Sequence, residues 1–168
     1  RVAMELRVER LSAEIENRPL NITEDARKAV PNQASNEESL YLSRRQQLSD
    51  EIGGLQQQLL QRQQEQREFA SKQEQYRNSL SLLRQEISMS EPLVQQGAIS
   101  PVEVLRLKRS EVETRGMLDG TTLAIPRAQA AINEVQRKID ETRGKFRSEA
   151  LGQLNEARTN LSKAQATS

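Results

Sequence analysis

The sequence predicts an all-α fold, a long antiparallel two-helix coiled-coil hairpin with a short additional N-terminal helix. Composition argues against an ordinary globule, because only 2% of the 168 residues are aromatic while 29% are charged. Disorder is equally disfavoured, since 35% of the residues are hydrophobic and the net charge is only +1. Apolar residues recur at alternating steps of four and three, which is the spacing of a coiled-coil seam.

The first element is a short helix over residues 1–17, which are good helix formers without Gly or Pro. Residues 18–36 form a linker that contains Pro19 and Pro31, and within it Thr23 is placed to cap one short helical turn.

The short helix has two alternative positions, either collinear with the long arm or folded back on the hairpin. We expect the fold-back and a short three-helix region, because both arms carry more leucine than one partner helix covers. These leucines are Leu40, Leu42, Leu151, Leu154 and Leu161.

The first long helix is predicted over residues 37–96, after a capping box with Ser35 at the N-cap and Glu38 at N3. Its seam contains Leu48, Ile52, Leu55, Leu59, Phe69, Tyr76, Leu80, Leu83, Ile87 and Val94. Gln66 and Gln73 also fall on the seam, where a polar layer would help to fix the register.

The second long helix is predicted over residues 100–166, with Pro126 expected to remove one backbone hydrogen bond and kink it. Its seam contains Val104, Leu107, Leu118, Ile125, Ala128, Ile132, Val135, Ile139 and Phe146, and it continues through Ala150, Leu154, Ala157, Leu161 and Ala164.

Between the arms lies a tip at residues 97–99, too short for anything but an antiparallel return. Gly97 suits the left-handed position that ends a helix, in a Schellman motif with a contact between Leu93 and Ala98. Ser100 and Glu103 then form a second capping box, with Pro at the first helical position.

The residue inventory gives no support for an enzyme, a metal site or a cofactor. The sequence contains no Cys and no His, which removes thiolate ligands and the commonest general base. Its acidic residues stand at helical spacing among Arg and Lys, the pattern of a solvated face. A near-zero net charge gives no argument for nucleic acid as a partner, and no apolar run reaches the roughly 20 residues that a membrane span needs.

Residues 80–109, LSLLRQEISMSEPLVQQGAISPVEVLRLKR, resemble the hairpin of HlyD-type membrane fusion proteins, the periplasmic adaptors of bacterial type I secretion. Further matches are ENRPL at 16–20, Ser43-Arg44, LAIPR at 123–127 and FRSEA at 146–150. The resemblance therefore extends over nearly the whole chain, and it includes both the tip and the in-helix proline.

The resemblance implies a hairpin taken from a larger protein, whose lipoyl and β-barrel domains and inner-membrane anchor lie outside this sequence. Six copies would form a tube in the Gram-negative periplasm. That tube would join an inner-membrane ABC transporter to a TolC-like outer-membrane channel for export of a protein cargo.

The resemblance also implies that the hairpin tip docks the channel, through Leu93, Gly97, Ile99, Ser100, Glu103 and Arg106. In drug-efflux relatives the tip carries an Arg, a Leu four residues on and a Ser seven further on. Leu93 and Ser100 hold the last two places, but Met89 stands at the Arg place. Arg84 or Arg106 could supply the missing guanidinium.

A second hypothesis needs no channel: the chain could be a coiled-coil scaffold or tether, since turn formation alone explains Gly97, Ser100 and Glu103. An ABC transporter gene beside its own, or lipoyl half-motifs flanking the hairpin, would favour the adaptor.

Overall fold

The computed structural model describes residues 1–167, which contain helices and connecting turns but no strand. The helices are α1 (Val2–Glu16), α2 (Glu24–Ala29), α3 (Pro31–Gln95) and α4 (Pro101–Thr167). The predicted all-α class with a long helical hairpin is confirmed. The chain divides into two compact units: the terminal unit, residues 1–57 with the chain from 136 onward, and the turn unit, residues 58–135.

In the terminal unit α1 folds back and packs against α4, as predicted for residues 1–17. Leu11, Ala150, Leu154 and Ala157 form a buried cluster, and Val8 and Ile15 pack against it. Leu11 is completely buried. Alanines on α4 leave room for the leucine of α1, so burial of aliphatic surface drives the docking.

The leucines that motivated the fold-back are mostly not at this interface. Leu40, Leu42 and Leu151 remain exposed at 45%, 66% and 45%. Of the five, only Leu154 belongs to the buried cluster. The expectation was wrong about the surface because it counted leucines without knowing which face of each arm α1 covers.

The prediction of a linker over residues 18–36 is also wrong for the second half of that range. Thr23 does cap α2, accepting a hydrogen bond from the Ala26 amide at 3.2 Å. However, α3 begins at Pro31 and not at residue 37, so Ser35 lies inside the helix. Proline is favourable at the first helical position because its missing N–H would have no partner there. Glu38, which was expected to complete the capping box, instead forms an ion pair with Arg27 at 2.6 Å.

In the turn unit α3 and α4 run antiparallel along the predicted seam. Its buried residues are the apolar Leu80, Ile87, Val104, Ala128, Ile132 and Val135 and the polar Thr121. Gln66 donates to Gln129 at 2.6 Å and Gln73 donates to Thr122 at 3.1 Å. Both predicted polar seam positions therefore pair across the two helices, which supports their role in fixing the register.

Two prolines lie inside the long helices of the turn unit. Helix α4 continues through Pro126 without ending there. Pro92 lies inside the last turn of α3. Its carbonyl still accepts a hydrogen bond from the Gln96 amide at 3.1 Å. The last turn of α3 therefore keeps this hydrogen bond, although proline removes its own amide as a donor.

Candidate functional site

The turn between α3 and α4 is held by a Schellman motif. Gly97 has φ of 73°, the left-handed region that glycine enters without steric cost. The Ala98 amide donates to the Leu93 carbonyl at 2.8 Å, and the Gly97 amide donates to the Val94 carbonyl at 3.0 Å. These are the two hydrogen bonds that define the motif, so the predicted Schellman motif at Gly97 is present, and α3 ends at Gln95, one residue before the predicted end.

The start of α4 is capped by Ser100. Its Oγ accepts a hydrogen bond from the Val102 amide at 3.2 Å, and Pro101 is the first helical residue. The predicted capping box forms only in part. Within residues 1–167 the Glu103 carboxylate makes no bond back to Ser100, and it lies 3.8 Å from Arg106 instead.

Apolar side chains remain exposed on both helix ends beside this turn. Leu93 is 40% exposed, Met89 73%, Val102 58% and Leu105 64%, while Ile99 is half-buried. The turn cannot cover them because a two-helix hairpin buries only its seam. Sequence reasoning missed Leu105, although its place between the seam residues Val104 and Leu107 already indicates an outward-facing leucine.

The charged residues near the turn form exposed pairs. Glu91 and Lys108 lie 3.3 Å apart across the two helices, and Arg84 and Glu111 lie 3.8 Å apart. Within residues 1–167 Arg106 pairs only with Glu103, on its own helix, and its side chain is 71% exposed. Pairs of this kind contribute little to stability, so either arginine can be released to a partner at small cost.

The predicted site residues are therefore brought together in one short segment of the turn unit. Gly97 and Ser100 shape the turn, Leu93 and Ile99 add apolar surface, and the Glu103–Arg106 pair lies one turn further along α4. The Arg place of drug-efflux relatives is filled by the exposed thioether of Met89, so no guanidinium is present at that position.

A second cluster, in the terminal unit, was not anticipated from the sequence. Arg10 and Glu14 of α1 are 4% and 6% exposed. Glu14 accepts hydrogen bonds from Arg10 at 3.2 Å and from Arg44 at 2.8 Å, and Arg10 also donates to Glu37. Arg44 in turn lies over the ring of Phe146 at 4.6 Å. The cluster joins α1, α3 and α4, and it gives Arg44 and Phe146 a structural role.

The ENRPL segment also has a structural role. Asn17 ends α1 with φ of 52°. Arg18 then forms a two-pronged ion pair with Glu9 at 2.7 and 2.8 Å, and the Tyr41 hydroxyl donates to the Arg18 carbonyl at 2.6 Å. The hydrogen bond from Arg18 lowers the pKa of the Glu9 carboxyl below its ordinary value. This segment fixes the exit of the chain from α1.

Residues 1–167 contain no group of His, Cys, Asp or Glu arranged to hold a metal ion. Within the same range, no helix combines the length and apolarity that crossing a membrane requires.

Comparison with known proteins places this geometry in a family. A family model described as AprE, long alpha-helical hairpin, matches residues 1–167. The crystal structure of the soluble domain of LipC, a membrane fusion protein of a type I secretion system, has a TM-score of 0.86 at 23% identity. That match covers 99% of this chain and 81% of the LipC chain, and at this identity it shows a shared fold. A search of curated proteins found no match. The resemblance noted from the sequence is thus confirmed in family and fold, and the chain belongs to the AprE family of long α-helical hairpins.

Proposed function

We propose that this chain is the hairpin of a periplasmic adaptor in type I protein secretion, and that its turn docks a TolC-like outer-membrane channel. Family membership and the fold shared with the LipC soluble domain support the adaptor role. The observation that carries the docking role is a rigidly capped turn flanked by exposed Leu93, Val102 and Leu105.

The capped turn favours docking because it lowers the cost of removing water. At most helix ends, unpaired amides and carbonyls must be desolvated when a partner binds. Here the Schellman bonds and the Ser100 cap already satisfy several of these groups. Apolar side chains on an ordered backbone also lose little conformational entropy on binding. A channel entrance built of helical hairpins would extend knobs-into-holes packing from one protein to the other.

The proposed roles follow from the positions of the side chains. Leu93 and Ile99 supply apolar contact, while Gly97 and Ser100 hold the turn, Ser100 also presenting its hydroxyl at the rim. Glu103 and Arg106 supply a polar rim that orients the partner. Met89 stands where drug-efflux relatives carry an Arg, so the contact with the channel at this position is apolar.

The remaining parts of the proposal concern the assembly. The hairpin belongs to an inner-membrane-anchored protein, with this part in the Gram-negative periplasm. Six copies link an inner-membrane ABC transporter to the channel and pass a protein cargo. The adaptor binds and aligns these partners and catalyses no reaction.

The test is secretion by the full-length adaptor carrying Leu93→Asp. The matched control is Leu60→Asp, because Leu60 is also an exposed leucine of α3, at 59%, but lies far along the helix from the turn. We expect Leu93→Asp to abolish secretion and Leu60→Asp to retain it, with equal adaptor abundance and equal binding to the transporter.

Normal secretion by a correctly inserted Leu93→Asp adaptor would remove the turn from the docking surface. That result would favour the scaffold hypothesis, in which the hairpin holds partners apart without touching a channel.

A further inference from the structure

A groove opens in the terminal unit where α1 ends. Helix α1 covers the seam between α3 and α4 as far as Glu16, and Asn17 then turns the chain away. Next to this end lies a groove of about 540 Å³, lined by residues of α1, α3 and α4. The groove is separate from the turn, so an occupant here would be a partner additional to the proposed channel.

The floor of the groove is apolar. It contains Ile15 from α1, Leu48 and Ile52 from α3, and Phe146 from α4. Ile52 is 8% exposed, and the other three are half-buried. Leu48 and Phe146 therefore leave part of their apolar surface uncovered on α3 and α4 where α1 ends.

The rim of the groove is cationic, formed by Arg45, Arg143 and Arg147. Arg143 and Arg147 are exposed, one turn apart on α4, and the described part of the chain gives neither an ion pair. Among the described residues, Arg45 donates only to uncharged groups, the Tyr41 hydroxyl and the Asn17 side-chain oxygen. None of these three guanidinium groups therefore has an ion-pair partner among residues 1–167.

The one carboxylate in the groove lining does not offset the rim. Glu14 is already shared between Arg10 at 3.2 Å and Arg44 at 2.8 Å. The apolar floor therefore lies beneath an excess of positive charge, which favours an occupant that is acidic and apolar on the same face.

The docking of α1 shows which chemistry this seam accepts. Helix α1 buries Leu11 and packs Ile15 against α4. It pairs Arg10 with Glu37 of α3, and one turn nearer the groove it pairs the carboxylate of Glu14 with Arg44 of α3. We propose that the groove binds an acidic amphipathic helix of a partner protein in the same manner. Its leucines would cover Leu48 and Phe146, and its glutamates would pair with Arg143 and Arg147.

The test measures binding of a fluorescent helical peptide, built from repeats of Leu-Glu-Glu-Leu, to the 168-residue chain. The test variant is Arg143→Gln with Arg147→Gln. The charge-matched control is Arg115→Gln with Arg127→Gln, since both of these arginines are exposed on α4 and neither lines the groove. We expect the test variant to weaken binding about tenfold, as two surface ion pairs would, and the control to leave it unchanged. Circular dichroism of all three proteins should be identical.

Absence of peptide binding by the unaltered chain would overturn the proposal, and arginine-dependent binding to phosphatidylglycerol vesicles in that case would identify a lipid surface as the occupant. Equal weakening of peptide binding in both variants would also overturn it. So would equal binding of a peptide with lysine in place of glutamate. Loss of peptide binding leaves secretion through the turn untouched, so this proposal and the channel-docking proposal can fail separately.

Discussion

Replacing Leu11 with Ala should selectively destabilise the terminal unit. Leu11 is the largest fully buried side chain of the described residues, and its cluster partners on α4 include Ala150 and Ala157. Alanines have no rotamers with which to fill the space that a leucine leaves. Closing it would require α1 to shift, against the ion pairs from Arg10 to Glu37 and from Glu14 to Arg44. A poorly relaxed cavity of this kind costs about 3 kcal/mol.

Native-state hydrogen exchange is the assay, because it reports the free energy of opening for each segment. We expect amides of α1 to lose about 3 kcal/mol of protection in Leu11→Ala, while amides of α3 and α4 around residues 80–118 keep theirs. The matched control is Met4→Ala on the same helix, since Met4 is 39% exposed. Equal, small effects of the two substitutions would refute the conclusion that α1 is held by this buried cluster.

Two further outcomes are expected. Ser100→Ala should lower the free energy of unfolding by about 1 kcal/mol through the lost N-cap, which is too little to unfold the hairpin. It should lower secretion without changing adaptor abundance. An abundance that falls in parallel with secretion would point to a folding defect instead. Glu9→Gln should lower the free energy of unfolding relative to the unaltered chain. This loss should be largest at neutral pH, and it should shrink as pH falls below 4.5 and through the lowered pKa of Glu9. The sign follows because a carboxyl whose pKa is lowered by folding stabilises the folded state only while ionised. Denaturant unfolding at several pH values measures this, and a difference that does not depend on pH would contradict the role of the Arg18 pair.

The two long helices and their turn could be predicted because their signals are local or periodic. The steps of four and three hold along both arms, and the predicted seam residues from Val104 to Ala164 are all at least half-buried. At the turn, Gly97 and Ser100 each determine a hydrogen bond to a near neighbour in sequence. Such features need no knowledge of the tertiary structure.

The start of α3 was misplaced because two start signals compete within a few residues. Ser35 and Glu38 form a good capping-box pattern, but Pro31 can begin a helix four residues earlier. The Ala34 amide bonds to the Val30 carbonyl at 2.9 Å, and Ala34 is completely buried. Packing in the terminal unit therefore favours the earlier start, and a single sequence does not show that packing.

The buried ion cluster could not be predicted because its partners are far apart in sequence. Arg10 meets Glu37, and Glu14 meets Arg44, only once the rotation and register of α1 on α3 are set. The sequence indicated that α1 folds back, but it left both of these open. For the same reason it pointed to Leu40 and Leu42 as interface residues, although the contact on α4 is formed by Ala150, Leu154 and Ala157.

The geometry of the turn explains some of its residues but not the exposed leucines beside it. Gly97 and Ser100 have clear structural roles, and the exposure of Leu93 and Leu105 is a property that turn formation does not require. The central claim is that this exposed surface meets the outer-membrane channel.

The most direct measurement is photo-cross-linking in cells, with a photoreactive amino acid in place of Leu93 in the full-length adaptor. The same substitution at Leu60, which is also exposed on α3, provides the reference position. We predict an adduct between adaptor and outer-membrane channel from position 93 and none from position 60. Absence of a channel adduct at position 93, or equal adducts at both positions, would contradict docking through the turn.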